Sequence, residues 1–183
     1  SLVWPILGSP PICDNVWQGD ICMQTTPATC SPAAAATLLQ NYGVYASEQE
    51  MAELCLTRGG TSWKGLYRGL ALKGAPVGRR VDVAQISIDT LIEGFVEPCI
   101  LQCELKMDAA GDDLAYQMEG WVPGQPHSLV LLDVQRHSRM GDLFWIADPS
   151  NRLEVWSRED LSRLWQGQTL RLVPVAGPAT GGG

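Results

Sequence analysis

The sequence predicts an α+β domain with helices first and antiparallel strands after them. Three observations carry this. The first third of the chain has apolar residues at helical spacing, bounded by capping and stop signals. From residue 81 onward, short apolar runs alternate with turn residues. The chain has 183 residues, which suits one domain, and no internal repeat suggests a second. Helices and strands segregated along a chain imply segregated layers.

The domain proper is expected over 20–175. An irregular extension, 1–19, precedes it, and a flexible tail, 176–183, ends in three glycines. A first helix should run from Cys30 to about residue 42, where Gly43 stops it. Ser47-Glu48-Gln49-Glu50 reads as a capping box for a second helix to about residue 56. A turn at 58–62 leads into a third helix over 63–73, ended by Gly74. A strand at 81–86, a short helix at 88–95 capped by Ser87, and a buried strand at 98–105 follow. Residues 106–126 are polar and glycine-containing and read as a long loop, either solvated or acting as a rim that filters substrates. Strands at 128–136 and 143–147 form a hairpin around a turn at 138–142. A strand at 153–156, a helix capped by Ser157 to about residue 165, and a strand at 168–173 complete the domain.

Composition narrows the function classes. Apolar content of 45% and charged content of 18% are those of an ordinary globular chain. The net charge is −7 and no basic stripe appears, which argues against a nucleic-acid partner. Arg79-Arg80, the only basic doublet, reads as a solvated turn. No apolar run is long enough to span a bilayer. Residues 2–7 are apolar but short and broken by Pro5. They read as a segment that packs on the domain or is disordered, with the stub of an anchor as the alternative.

Six cysteines in a chain this long do not make a disulfide scaffold. Cys13 and Cys22 are near enough in sequence to bridge in an oxidising compartment. Cys99 and Cys103 share a strand face about 13 Å apart, too far to bond, and Cys55 reads as core. There is no CxxC pair and there are only two histidines, so zinc is not expected and no cofactor is implied.

Chemistry gathers at Cys30. A turn-forming stretch, 24–29, leads into this cysteine, and an Ala- and Leu-rich helix starts directly on it. The positive end of a helix dipole favours thiolate over thiol, and the thiolate is the nucleophile. A base near neutral pH is also needed, and histidine supplies it. His137 sits between Arg136 and Arg139 in a hairpin turn, a poor setting for a general base, whereas His127 opens an apolar strand. Asp148 ends the next strand of the same hairpin, so the antiparallel pairing brings it beside His127 as an orienting group. The Cys30 N–H and the Gln24 amide can form an oxyanion hole. Taken singly each residue is weak; a cysteine at a helix start is more often plain core, and Asp148 an ordinary turn former.

The pattern Gln24-x5-Cys30, then Pro32-Ala33-Ala34, Leu38-Leu39 and Tyr42-Gly43, resembles the N-terminal signature of C39 peptidases, the bacteriocin-processing, double-glycine leader peptidases. The likeness continues through residues 48–54 and Gly60-Thr61-Ser62. It resumes at His127-Ser128-Leu129-Val130-Leu131, Ile146-Ala147-Asp148-Pro149 and Trp165-Gln166-Gly167. It implies a papain-like fold and thiol protease activity, with Cys30 as nucleophile, His127 as base, Asp148 as orienting residue and Gln24 in the oxyanion hole. It further implies a leader-bearing peptide substrate cut after a Gly-Gly type pair. The setting it implies is bacterial and membrane-associated, with an ABC-type peptide exporter or a membrane tether. No GxxxxGK[ST] motif occurs in the chain. Ser31 departs from the family's usual glycine after the nucleophile; its side chain would crowd the cleft or cap the helix. Two other readings stay open: a leader-docking domain that does not cut, and a thiol amidase or acyltransferase using the same triad.

Overall fold

The computed structural model describes residues 8–108, 111, 113–137 and 139–177. A small hairpin, β1 (Trp17–Gln18) and β2 (Ile21–Cys22), turns at Gly19, whose φ of +59° suits glycine. Three helices follow: α1 (Cys30–Gln40), α2 (Glu48–Leu54) and α3 (Trp63–Gly74). After a 3₁₀ turn, Ala75–Val77, come β3 (Arg79–Gln85), α4 (Ile88–Gly94), β4 (Cys99–Glu104) and α5 (Asp113–Met118). The chain continues as β5 (Pro126–Gln135), β6 (Leu143–Asp148), β7 (Arg152–Ser157), α6 (Arg158–Leu164) and β8 (Trp165–Pro174).

Six strands form one antiparallel sheet in the order β3-β8-β4-β5-β6-β7. Side chains alternate across it, as the two-residue period of a strand requires. Ile100, Val130, Ala147, Leu170 and Leu172 pack with α1–α3 on one face. Cys99, Leu101, Cys103, Leu129, Leu131, Phe144 and Ile146 pack on the other, with Leu91 and Ile92 of α4 and Leu161 and Leu164 of α6. The α+β reading holds, with one addition: a second helical layer covers the far face of the sheet.

The first helix is the centre of the near layer. It is buried from Ser31 to Leu39 and lies against β5, α2 and α3. Its alanines, Ala33 to Ala36, are what let it sit so close to its neighbours. Ser47, Ser62, Ser87 and Ser157 each accept a backbone N–H from their helix's first turn. Only Ser157 has a reciprocal capping box; at α2, Glu50 instead binds Lys73 at 2.8 Å.

Several sequence expectations change. The loop expected over 106–126 contains α5, anchored by Asp113 against Arg163 at 2.8 Å. Arg79 is not in a solvated turn; it opens β3, pairs with Glu97 at 2.8 Å and lies 4.0 Å above the Tyr42 ring. Trp165 starts β8 rather than ending a helix. Cys13 and Cys22 are both free thiols. The apolar segment 2–7 and the tail from 178 lie outside the described residues. The limits 20–175 are proposed for the domain, with β1 just outside them yet paired to β2 within.

Candidate active site

The loop before Cys30 is tied down by a carboxylate. Glu48, buried at the start of α2, accepts the Thr25 N–H at 2.7 Å, the Thr25 hydroxyl at 2.8 Å and the Thr29 hydroxyl at 2.6 Å. Thr29 is the N-cap residue of α1, but its hydroxyl is spent on Glu48 and makes no cap bond. Cys30 opens the helix, so its own N–H has no acceptor within α1. Cys30 is part-exposed as a residue, at the N-terminus of a helix buried from Ser31 to Leu39. The Gln24 N–H binds the Pro149 carbonyl at 2.8 Å, linking this loop to the end of β6.

The hairpin brings His127 and Asp148 together. His127 Nε2 is 2.8 Å from Asp148 Oδ1, and the two are 5% and 0% exposed. With Nε2 engaged, Nδ1 is the ring nitrogen left for the thiol. Asp148 Oδ1 also accepts the Ser150 N–H and hydroxyl, each at 2.8 Å. Its Oδ2 accepts Trp121 Nε1–H at 2.7 Å. Both oxygens of this buried carboxylate are hydrogen-bonded, as burial of a charge demands.

Trp121 is the residue that sequence reasoning missed. It lies in the polar stretch 106–126, which the sequence presents as a loop. In the structure it is 2% exposed and its ring centroid lies 4.3 Å from that of His127. It therefore covers the imidazole and fixes the carboxylate at once. The one signal in the sequence is a tryptophan among polar residues, which seldom stays in solvent.

Charge distribution follows from these contacts. Burial pushes the Cys30 thiol up, but the hydrogen bond and charge of His127, the Ser128 N–H and the Ser31 hydroxyl bring it below its ordinary 9.0. Burial opposes the charged imidazole, yet the charge and hydrogen bond of Asp148, with help from Cys30, raise His127 from 6.5 to about 10. Burial would raise Asp148, but His127 and the Ser150 bonds hold it below the usual 3.8. These shifts together favour thiolate, imidazolium and carboxylate in a row. The other cysteines go the opposite way: burial pushes Cys22, Cys55 and Cys99 up to about 12.

Gln24 is hydrogen-bonded through its backbone to Pro149, the residue after Asp148. Its Nε2 binds the Thr26 carbonyl at 3.3 Å, leaving the second amide hydrogen free, and its Oε1 is buried without a partner. Ser31 neither crowds the cleft nor caps the helix; its hydroxyl turns inward to Ser128 Oγ at 2.7 Å. His137 is exposed in its turn, away from this site. Among the described residues no group of three or more His, Cys, Asp or Glu side chains could hold a metal.

No protein-family model matches the chain. A stretch of 68 residues is 40% identical to an uncharacterized protein of Methanothermobacter marburgensis, covering 36% of this chain and 48% of that protein. Another of 55 residues is 46% identical to an uncharacterized protein of Methanothermobacter thermautotrophicus, covering 30% and 39%. The chain thus spans less than half the length of these relatives. Among solved structures, the peptidase domain of Streptococcus ComA, a bi-functional ABC transporter involved in quorum sensing, superposes with a TM-score of 0.61 at 22% identity, covering 83% of this chain and 96% of that one. A double glycine motif protease from an AMS/PCAT transporter, solved in complex with the leader peptide, gives 0.63 at 17% identity, covering 85% and 91%. The peptidase domain of Streptococcus mutans ComA gives 0.55 at 20% identity, covering 85% and 99%. The chain has the α+β fold of these peptidase domains, and the likeness to C39 peptidases read from its sequence holds at the level of fold.

Proposed function

We propose that the chain is a cysteine peptidase that removes leaders from exported peptides by cutting after a Gly-Gly type pair. One observation carries the reading: a fully buried Asp148 holds His127 at 2.8 Å, and that histidine favours the charged form of a thiol at a helix N-terminus. A docking module has no use for that arrangement. The fold it shares with leader-peptidase domains of transporters supports the substrate class.

In the proposed reaction the Cys30 thiolate attacks the scissile carbonyl carbon. The oxyanion forms beside the Cys30 N–H and the free amide hydrogen of Gln24, donors worth about 3–4 kcal/mol each on developing charge. The His127 imidazolium gives its Nδ1 proton to the leaving amine, and the C–N bond breaks. The leader remains as a thioester on Sγ. Water then gives a proton to His127 and attacks the thioester, releasing the leader acid and the thiolate. Asp148 keeps the ring oriented throughout and stabilises its charged form.

A leader-bearing peptide is the proposed partner, and an ABC-type exporter at a membrane is the proposed context. Among the described residues no helix is long and apolar enough to cross a membrane. The test is incubation of the chain with a leader peptide carrying a Gly-Gly junction, beside Cys30→Ala, with products read by mass spectrometry. Cleavage by the wild type alone supports the peptidase. Binding without cleavage by either would sink it in favour of a docking role, and a mass gain on an added amine would reassign it to acyl transfer.

A further inference from the structure

Ser31 and Ser128 stand 97 positions apart, yet their hydroxyl oxygens are 2.7 Å apart. Ser31 follows Cys30 on α1; Ser128 follows His127 on β5. Both are buried, at 6% and 2% exposure. The alternation along β5 explains the placement. Leu129 and Leu131 face the α4–α6 layer, whereas Ser128, like Val130, faces α1. The surroundings are apolar, with Ala33, Ala34, Val130 and Ala147 in the same layer. Two hydroxyls in such a place cost desolvation that two alanines would not. Packing alone therefore does not account for them. Their single bond joins the one helix to the one strand whose relative position sets the distance between sulfur and imidazole.

We propose that Ser31 and Ser128 form a hydroxyl clamp that fixes α1 against β5 and so positions Cys30 opposite His127. Both are positioning residues, each adjacent in sequence to a proposed catalytic group. A second role follows from the same contact. The Ser31 hydroxyl and the Ser128 N–H both favour the charged form of the Cys30 sulfur. With the Ser31 proton turned to the sulfur, Ser128 is the donor of the 2.7 Å bond. The clamp and the thiolate are then one network, and losing either hydroxyl disturbs both.

The clamp's effect on turnover rests on the peptidase reading, but its effect on the thiol does not, and the test uses the thiol. Iodoacetamide alkylation of Cys30 is followed across pH by mass spectrometry of the peptide that contains it. The proteins are the wild type, Ser31→Ala, Ser128→Ala and the double variant. Each single change is expected to move the midpoint of the alkylation profile up by about one pH unit, a tenfold change in the thiolate–thiol ratio. The double variant should move it no further, because the hydroxyls act as a pair. Ser128→Thr, which keeps the hydroxyl, should retain the wild-type midpoint. Unshifted profiles in the alanine variants, additive shifts in the double variant, or a shift in Ser128→Thr as large as in Ser128→Ala would each overturn the clamp. Wild-type leader cleavage with unshifted profiles would leave the peptidase and remove the clamp. Shifted profiles with no cleavage by any form would do the reverse.

Discussion

Asp148→Asn keeps the side-chain shape but replaces one oxygen by an N–H₂ donor, and the structure says which contacts survive. Asp148 Oδ1 takes three bonds at 2.8 Å, from His127 Nε2, the Ser150 N–H and the Ser150 hydroxyl. An amide oxygen can take the same three, so the asparagine is fixed in one orientation. Its N–H₂ then faces Trp121 Nε1–H, which lies 2.7 Å from Oδ2. Two donors meeting in a buried site cost about 2–3 kcal/mol, or a Tm fall of roughly 4–12 °C in a chain of this size. Trp121→Phe alone removes a bond to a carboxylate, at about 1.5–3 kcal/mol. In the Asp148→Asn background the same change removes the clash instead, so the double variant should be no less stable than Asp148→Asn. The coupling should reach about 2 kcal/mol. Thermal and urea unfolding of the four proteins measures it. The lost charge should also lower the pKa of His127, moving the alkaline limb of cleavage down from about 10. Losses that add to within about 0.5 kcal/mol, or an alkaline limb that stays in place, would refute the role given to Trp121 and Asp148.

Other expectations follow from the same contacts. Cleavage should fall at acid pH as Cys30 is protonated, at a pH below the ordinary 9.0 of a thiol, and at alkaline pH as His127 deprotonates near 10; a single limb in the rate profile would contradict the ion pair. His127 should contribute stability that is full below 6.5 and lost as pH rises through about 10, so the free energy of unfolding measured from pH 6 to 10.5 should fall in that window. At pH 6 iodoacetamide should label Cys30 far faster than Cys55, which burial pushes up to about 12; equal rates would remove the activated thiolate. Glu48→Ala should free Thr25 and Thr29 from their shared acceptor, lowering Tm by roughly 6–12 °C for about 3 kcal/mol, and should reduce kcat more than it raises KM; a change confined to KM would argue against its hold on the oxyanion loop.

The parts of the fold and site that were legible in the sequence are the local ones. The α1 helix showed in its alanines and leucines and in the Gly43 stop, and the β5–β6 hairpin in its two apolar runs around a turn. Because antiparallel register follows from the hairpin, the sequence alone places His127 and Asp148 side by side. What stayed hidden depends on pairing between distant segments. Trp121 reaches the site after α5, which is held by Asp113 on Arg163 of α6 and by Tyr116 against Trp156 of β7, and the stretch 106–126 carries no periodicity to announce that helix. The Ser31–Ser128 bond joins two serines, a residue type that sequence pattern assigns to caps and turns. Arg79 was misread for a similar reason: its partners, Glu97 and Tyr42, come from two other parts of the chain.

Cys30, His127 and Asp148 are held here to form a single hydrolytic unit that passes through a thioester. Acid-quenched mass spectrometry of the chain during turnover of a Gly-Gly leader peptide tests this most directly. The result expected is a transient adduct with the mass of the leader, located on Cys30, absent from Cys30→Ala, and accumulating more slowly in His127→Ala. Cleavage that persists in Cys30→Ala, or leader cut with no adduct at any time while that variant is equally active, would contradict it.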